Sequence, residues 1–181
     1  MKILVSLLPL ALAACSTTRF MRDADPTPPP GPDEAKVVVY RTSQFGGADN
    51  FPVVDGDGNL LGFTETDCFF EIRRPPGKHL FAARGEGDAF VEADLAGGKT
   101  YYIRAYSKFG LLSSRPGFAP VGQGSEHGEE IDRVLPKLRC RELDPEKGRE
   151  YKPKPLAEID PNPRTLHPDD GRGEPATLPA R

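Results

Sequence analysis

Short apolar or alternating runs, separated by turn residues about every ten positions, occupy the chain between residues 36 and 121. This spacing is typical of an all-β domain, in which short strands follow one another through tight turns. Residues 100–106 alternate most clearly, and a run of glycine, aspartate and asparagine at residues 55–59 favours a hairpin turn. The sequence therefore predicts one small sandwich or barrel.

The composition excludes several classes of protein. Of 181 residues, 37% are hydrophobic, 28% are charged and 20 are prolines, which excludes a polytopic membrane protein, a coiled coil and a large multidomain enzyme. After residue 14 the chain carries 23 basic and 27 acidic residues, interspersed, for a net charge of −4. We expect no nucleic-acid partner, because no basic patch is visible.

The first fourteen residues have the organisation of an export signal. Lys2 is followed by an apolar run over residues 3–12 and then by two alanines. The run is shorter than the ~20 residues that a membrane-spanning helix needs. We therefore expect residues 1–14 to be a signal peptide.

The end of this segment resembles the lipobox of bacterial lipoproteins, through Leu12, Ala13, Ala14 and Cys15. The resemblance implies that the chain is cut before Cys15, whose thiol carries a diacylglyceryl group and whose amine is acylated. No other cofactor is expected. Ser16, in place of an aspartate, favours the outer membrane, with the protein facing the periplasm. The alternative is an ordinary secretory signal in which Cys15 is incidental.

Proline-rich segments flank the predicted domain. Residues 15–35 contain five prolines and few apolar residues, so we expect a lipidated cysteine followed by an extended tether that lifts the domain off the membrane. Residues 144–181 are rich in proline and charge and show no periodicity. We expect them to form a disordered tail.

Residues 122–143 are predicted to form a loop and one short helix. The apolar side chains recur at helical spacing, at Ile131, Val134, Leu135 and Leu138. Ser125 can cap the start of this helix, and Pro136 should end or kink it.

The central domain, residues 36–121, resembles the small bacterial lipoprotein domain catalogued as domain of unknown function 2846. Four segments carry the resemblance: residues 37–41, 53–56, 75–79 and 98–104. It implies a small antiparallel β-sandwich related to carboxypeptidase-regulatory and PEGA-type domains, with no assigned catalytic residue. The chain departs from the family pattern at Asp57-Gly58-Asn59, at Cys68 and in the tail. We expect any function peculiar to this protein at those departures.

Acidic residues in the predicted hairpin turn resemble the opening of a calcium loop. Asp55, Asp57 and Asn59 alternate as calcium ligands do, but Leu60 and Thr66 stand where the glycine and the bidentate glutamate belong. A structural turn is therefore favoured, with weak calcium binding as the alternative.

No other pattern predicts a metal or catalytic site. The histidines His79, His127 and His167 are too widely spaced for a metal site. Ser113 and Ser114 lack the surroundings of a nucleophilic serine.

Two cysteines remain once Cys15 is lipidated. Because an even pair in an oxidising periplasm is commonly joined, we predict a disulfide between Cys68 and Cys140. The alternative is a buried Cys68 thiol and an exposed Cys140 that is free or pairs with another chain.

The strand at residues 100–106 carries a concentration of aromatic residues. Its outward face would present Tyr102, Arg104 and Tyr106, and tyrosine and arginine are favoured anchors at protein interfaces. Strand packing is the alternative explanation for these side chains.

These features favour a lipid-anchored, non-enzymatic module that binds or scaffolds an unidentified envelope protein. The alternative is a domain that binds a small molecule or glycan, or that hydrolyses the cell wall.

Overall fold

The computed structural model describes residues 18–42, 49–111, 114–122, 125, 127–152 and 163–173. Residues 1–17, which include the predicted signal peptide, the lipobox residues and Cys15, lie outside the described residues, as does Ser113. The strands are β1 (Met21–Asp23), β2 (Ala35–Arg41), β3 (Phe51–Asp55), β4 (Leu60–Thr64), β5 (Cys68–Arg74), β6 (Gly77–Ala83), β7 (Ala89–Leu95), β8 (Thr100–Phe109), β9 (Ser114–Val121), β10 (Arg139–Leu143) and β11 (Arg164–Leu166).

The strands form two sheets, which confirms the predicted all-β sandwich. One sheet has the order β1-β10-β5-β2-β8-β9 and the other β11-β7-β6-β3-β4. Most neighbouring strands are antiparallel, but the pairs β10–β5, β2–β8 and β11–β7 are parallel. Both sheets are therefore mixed, and the antiparallel arrangement that the resemblance implies is wrong at these three pairs. The central strand β2 and the two strands from the C-terminal part each have a parallel neighbour.

The core lies between the sheets and follows the alternation of the strands. Val37 and Val39 on β2 and Tyr101 and Ile103 on β8 are at most 1% exposed, and they pack with side chains of the second sheet such as Phe81. Burial of apolar area of this kind is the main favourable contribution to folding.

A second apolar cluster covers the outer face of the six-stranded sheet. Helix α1 (Ile131–Val134) and a following 3-10 turn (Leu135–Lys137) lie against Val38 and Tyr40. The predicted helix is confirmed in a short form, with Pro136 in the 3-10 turn. The predicted cap is wrong: Glu130 precedes the helix, while the Ser125 hydroxyl bonds to the Gly122 carbonyl in the preceding loop.

The predicted tether is part of the fold from residue 18 onward. Residues 21–23 form an edge strand, and the proline-rich stretch that follows runs along the six-stranded sheet. Glu71 on β5 accepts a hydrogen bond from the Thr27 amide at 2.8 Å, and Arg73 donates to the Pro28 carbonyl at 2.6 Å. Prolines do not prevent this docking, because neighbouring side chains supply the hydrogen bonds.

Parts of the predicted disordered tail, residues 144–181, are also folded. Helix α2 (Pro145–Gly148) follows β10, and β11 adds to the edge of the second sheet with Leu166 fully buried. The Arg172 amide and carbonyl bond to Thr100, both at 2.8 Å. The described sandwich therefore extends past the predicted limits of residues 36–121 in both directions.

A buried ion pair joins the N-terminal segment to both sheets. Glu65, after β4, lies 2.9 Å from the Arg141 guanidinium on β10. Arg141 also donates to the Met21 carbonyl at 2.8 Å, and Glu65 accepts from the Thr18 amide. The Glu65 side chain is 0% exposed and the Arg141 side chain is 8% exposed. Each charged group is therefore stabilised by these partners and not by water.

We predict that Arg141→Ala lowers the free energy of unfolding by about 3–5 kcal/mol, because it leaves the Glu65 carboxylate buried without its positively charged partner. Arg22→Ala is the control: it removes an exposed ion pair with Glu142 between β1 and β10 and should cost about 1 kcal/mol or less. Urea denaturation of each variant measures both effects. Equal, small losses for the two variants would contradict the importance of the buried pair.

Candidate functional site

A groove of about 340 Å³ forms where the β3–β4 turn meets the residues after β10. Gly58 and Asn59 line one side, and Leu143, Arg149 and Tyr151 line the other. The turn and the tail are two of the three places where the chain departs from the family that it resembles. Any function peculiar to this protein is expected at those places. The structure brings these two together, whereas Cys68 does not line the groove.

The turn side of the groove is fixed by the carboxylate of Asp55. One carboxylate oxygen accepts from the amides of Asp57 and Asn59, at 3.1 and 2.9 Å, and the other accepts from the Asn59 side chain at 3.1 Å. Arg74 adds an ion pair at 3.3 Å. The structural turn is therefore confirmed, since Asp55 directs its oxygens into the turn and toward Arg74.

No group of three potential metal-ligating side chains comes together in the part of the chain that the structure describes. His79 lies 2.8 Å from the Pro75 carbonyl, and His127 lies between Arg104 and Glu130. His167 belongs to a capping arrangement with Asp170. The three histidines thus lie apart, each in a local structural contact.

The other side of the groove is built on helix α2 and an aromatic cluster. The Asp144 carboxylate caps the helix by accepting from the amides of Glu146 and Lys147, both at 3.0 Å. The bond from the Lys147 amide lowers the pKa of Asp144. Tyr151 packs edge-on against Phe63, with ring centroids 5.8 Å apart.

Phe20 completes this aromatic cluster. Its ring stacks on Phe63 at 5.2 Å and meets Tyr151 edge-on at 6.2 Å. Burial raises the pKa of Tyr151, so its hydroxyl is neutral at physiological pH. The wall of the groove is therefore held by the same N-terminal segment that the sequence assigns to a tether.

The groove offers an amide, a guanidinium and an aromatic side chain, from Asn59, Arg149 and Tyr151. These groups can hydrogen-bond, pair with an anionic group and stack on a flat surface. Among the described residues, its lining includes no serine, cysteine, histidine or carboxylate. These groups suit the recognition of a polar or flat surface.

The predicted interaction surface, Tyr102, Arg104 and Tyr106, lies on one face of β8. The prediction that this surface is open to solvent is wrong. Tyr102 is only 3% exposed, and Arg172 lies over its ring at 5.4 Å. Arg104 donates to His127 at 2.9 Å. Tyr106 is half-buried, with Arg104 5.7 Å from its ring centroid. The region around α1 and the chain around residue 172 cover most of this surface.

A signal for this covering was present in the sequence. Residues 37–40 are apolar without interruption, which indicates a strand buried on both faces. Val38 and Tyr40 therefore require a layer over the outer face of the sheet, and neighbouring Tyr102 is buried with them.

The predicted disulfide is absent: Cys68 and Cys140 are both free. In the parallel pairing of β10 with β5, Cys68 stands opposite Arg139 and Cys140 stands opposite Phe69. Because the two cysteines are offset by one position, their side chains project to opposite faces of the sheet. Cys68 lies near Glu65 and Cys140 lies near Glu71.

Comparison with known proteins identifies no relative of this chain. No family model, no curated protein and no solved structure matches the chain. Within the described ranges, no helix has the length and apolarity needed to cross a membrane.

We predict that Cys68 and Cys140 both carry free thiols that react slowly in the native protein. Burial raises the pKa of Cys68, and it raises that of Cys140 to about 12, so thiolate is scarce at pH 8. A thiol reagent should react with both cysteines in guanidinium chloride without prior reduction. Two thiols that appear only after reduction would show that the pair is joined.

Proposed function

We propose that this protein is a lipid-anchored lipoprotein of the bacterial cell envelope, held in the outer membrane and facing the periplasm. The observation that carries the proposal is the sequence Leu12, Ala13, Ala14 and Cys15, directly after a short apolar run. Three acyl chains on Cys15 would give stable anchoring, whereas a single chain gives only weak binding. Ser16 supports the outer membrane over retention in the inner membrane.

The sandwich then acts as a non-enzymatic binding or scaffolding module for another envelope protein. Two properties of the groove support this role. Its walls are fixed by the Asp55 carboxylate and by the packing of Tyr151, so binding would order few groups. Its lining includes Arg149 and Tyr151, which belong to the residue types that dominate protein interfaces.

A small polar molecule or glycan is the second candidate for the groove. The volume of about 340 Å³ falls at the lower end of the range of roughly 300–1,000 Å³ for small-ligand sites. The tyrosine ring and the polar groups of Asn59 and Arg149 are the groups that would contact a sugar.

In-cell photocrosslinking of the full chain distinguishes these candidates. A photoreactive residue replaces Pro145, an exposed residue of the groove lining, or Glu92 on an exposed part of β7 as the matched control. We expect the Pro145 probe to form one adduct of defined mass with an envelope protein, and the Glu92 probe to form none.

A Cys15→Ser chain serves as the second arm of this experiment. We expect it to lose metabolic labelling with palmitate, membrane fractionation and the crosslinked adduct together. A wild-type chain without label in the membrane fraction would refute the anchor. An anchored chain without a protein adduct would refute protein binding at the groove and leave the small-ligand candidate.

A further inference from the structure

The outer strands of the two sheets differ in how well they are protected against pairing with another chain. These strands are β1 and β9 in one sheet and β11 and β4 in the other. β1 and β11 have three residues each, and β9 contains Pro116 and Pro120. Short length and proline both prevent a further strand from adding to the edge of a sheet.

Strand β4 lacks these forms of protection. It has five residues, Leu60–Thr64, and none of them is a proline or carries a charge. It pairs with β3 on one side, and no strand of the described residues pairs with its other side. The backbone N–H and C=O groups that point to this free side are therefore available to an additional strand.

The pairing of β4 with β3 shows which backbone groups point to the free side. The Asp55 amide bonds to the Asn59 carbonyl at 3.0 Å, so the backbone groups of these two residues face each other. The next pair along the hairpin is Val54 with Leu60. Because facing and diverging pairs alternate between antiparallel strands, Leu60 directs both its N–H and its C=O away from β3.

Hydrogen bonds on the other side of β3 agree with this direction. The Pro52 carbonyl accepts from the Arg84 amide at 2.9 Å, so the backbone of Pro52 faces β6. Val54 is two residues further along the strand and faces β6 in the same way, opposite Ala82. No backbone hydrogen bond to another described residue satisfies the N–H or C=O of Leu60.

The groove lies beside this part of β4. Leu60 lines it, together with Leu143 at the end of β10 and Tyr151 after helix α2. A register shift between Val53 and Val54 interrupts the pairing of β3 with β4, and Leu60 lies on the groove side of this shift. The free backbone groups of Leu60 therefore belong to the wall of a space of about 340 Å³.

The opposite wall determines which side chains an added strand can carry. Leu143 and Tyr151 are partly buried and pack against the main core, so they offer an apolar surface. Arg149 is the charged side chain among the described lining residues. An apolar side chain fits the first surface, and an acidic side chain can pair with the guanidinium group.

We propose that the groove binds an extended segment of the partner protein, which adds to β4 as a further strand and pairs with the backbone of Leu60. This inference rests on the proposed function, because it specifies how an envelope protein occupies the groove. The segment carries an apolar side chain for Leu143 and Tyr151 and an acidic side chain for Arg149. In this mode of recognition, main-chain hydrogen bonds supply affinity and alternate side chains supply specificity.

The test removes the hydrogen-bond donor at residue 60. Leu60→Pro deletes the N–H group that points to the free edge, a place where a sheet tolerates proline. Leu60→Val keeps this N–H group and changes only the side chain, so it is the matched control. Each substitution is made in the full chain that carries the photoreactive residue in place of Pro145.

We expect Leu60→Pro to reduce the adduct with the envelope protein at least tenfold and Leu60→Val to retain most of it. Urea denaturation of both variants verifies that they fold. Deuterium exchange gives a second measurement, which does not depend on the folding of Leu60→Pro. In the adduct of the chain that keeps Leu60, the Leu60 amide should exchange at least tenfold more slowly than in the free protein, whereas the Glu92 amide should be unchanged.

The outcomes separate strand addition from the proposed function. Equal adduct from Leu60→Pro and Leu60→Val, with no slowing of the Leu60 amide, would overturn strand addition and leave protein binding at the groove intact. An adduct with twice the mass of the chain would overturn the choice of partner and assign the edge of β4 to a second copy of this protein. The absence of any adduct from the Pro145 probe in the otherwise unchanged chain would refute protein binding at the groove itself.

Discussion

The contact between Glu65 and Arg141 ties the described N-terminal segment to both sheets. Glu65 follows β4 of one sheet and Arg141 lies on β10 of the other, and both side chains are almost fully buried. Buried charges are tolerated only when each has a partner and its remaining hydrogen bonds are satisfied. The Thr18 amide and the Met21 carbonyl supply some of these hydrogen bonds. The N-terminal segment is therefore needed to stabilise the buried ion pair. β10 then leads into helix α2 and Tyr151, which form one wall of the groove.

Local sequence patterns were sufficient to predict most of the strands and the short helix. Alternation of apolar residues identified β8, and glycine with aspartate and asparagine identified the β3–β4 turn. The helix at Ile131 followed from the spacing of its apolar residues. These features depend on neighbouring residues in the chain, which a single sequence displays directly.

Contacts between distant segments could not be predicted in this way. The proline-rich stretch resembles a tether because its docking depends on Glu71 and Arg73, more than forty residues away. The disulfide prediction failed because the parallel register of β10 offsets Cys140 from Cys68 by one position. For the groove, the sequence identified the Asp57-Gly58-Asn59 turn and the tail as unusual, but only the fold shows that they meet.

From Thr18 onward the N-terminal segment packs on the sandwich instead of forming an extended tether. Met21 pairs with Leu143 and Phe20 stacks on Phe63, so this segment lies beside the groove. Hydrogen–deuterium exchange of the full chain tests this most directly. The account predicts that the Ala24 amide, bonded to the Cys140 carbonyl at 3.1 Å, exchanges roughly 100-fold more slowly than in a free peptide. Exchange of residues 18–35 at free-peptide rates would contradict it and restore the tether.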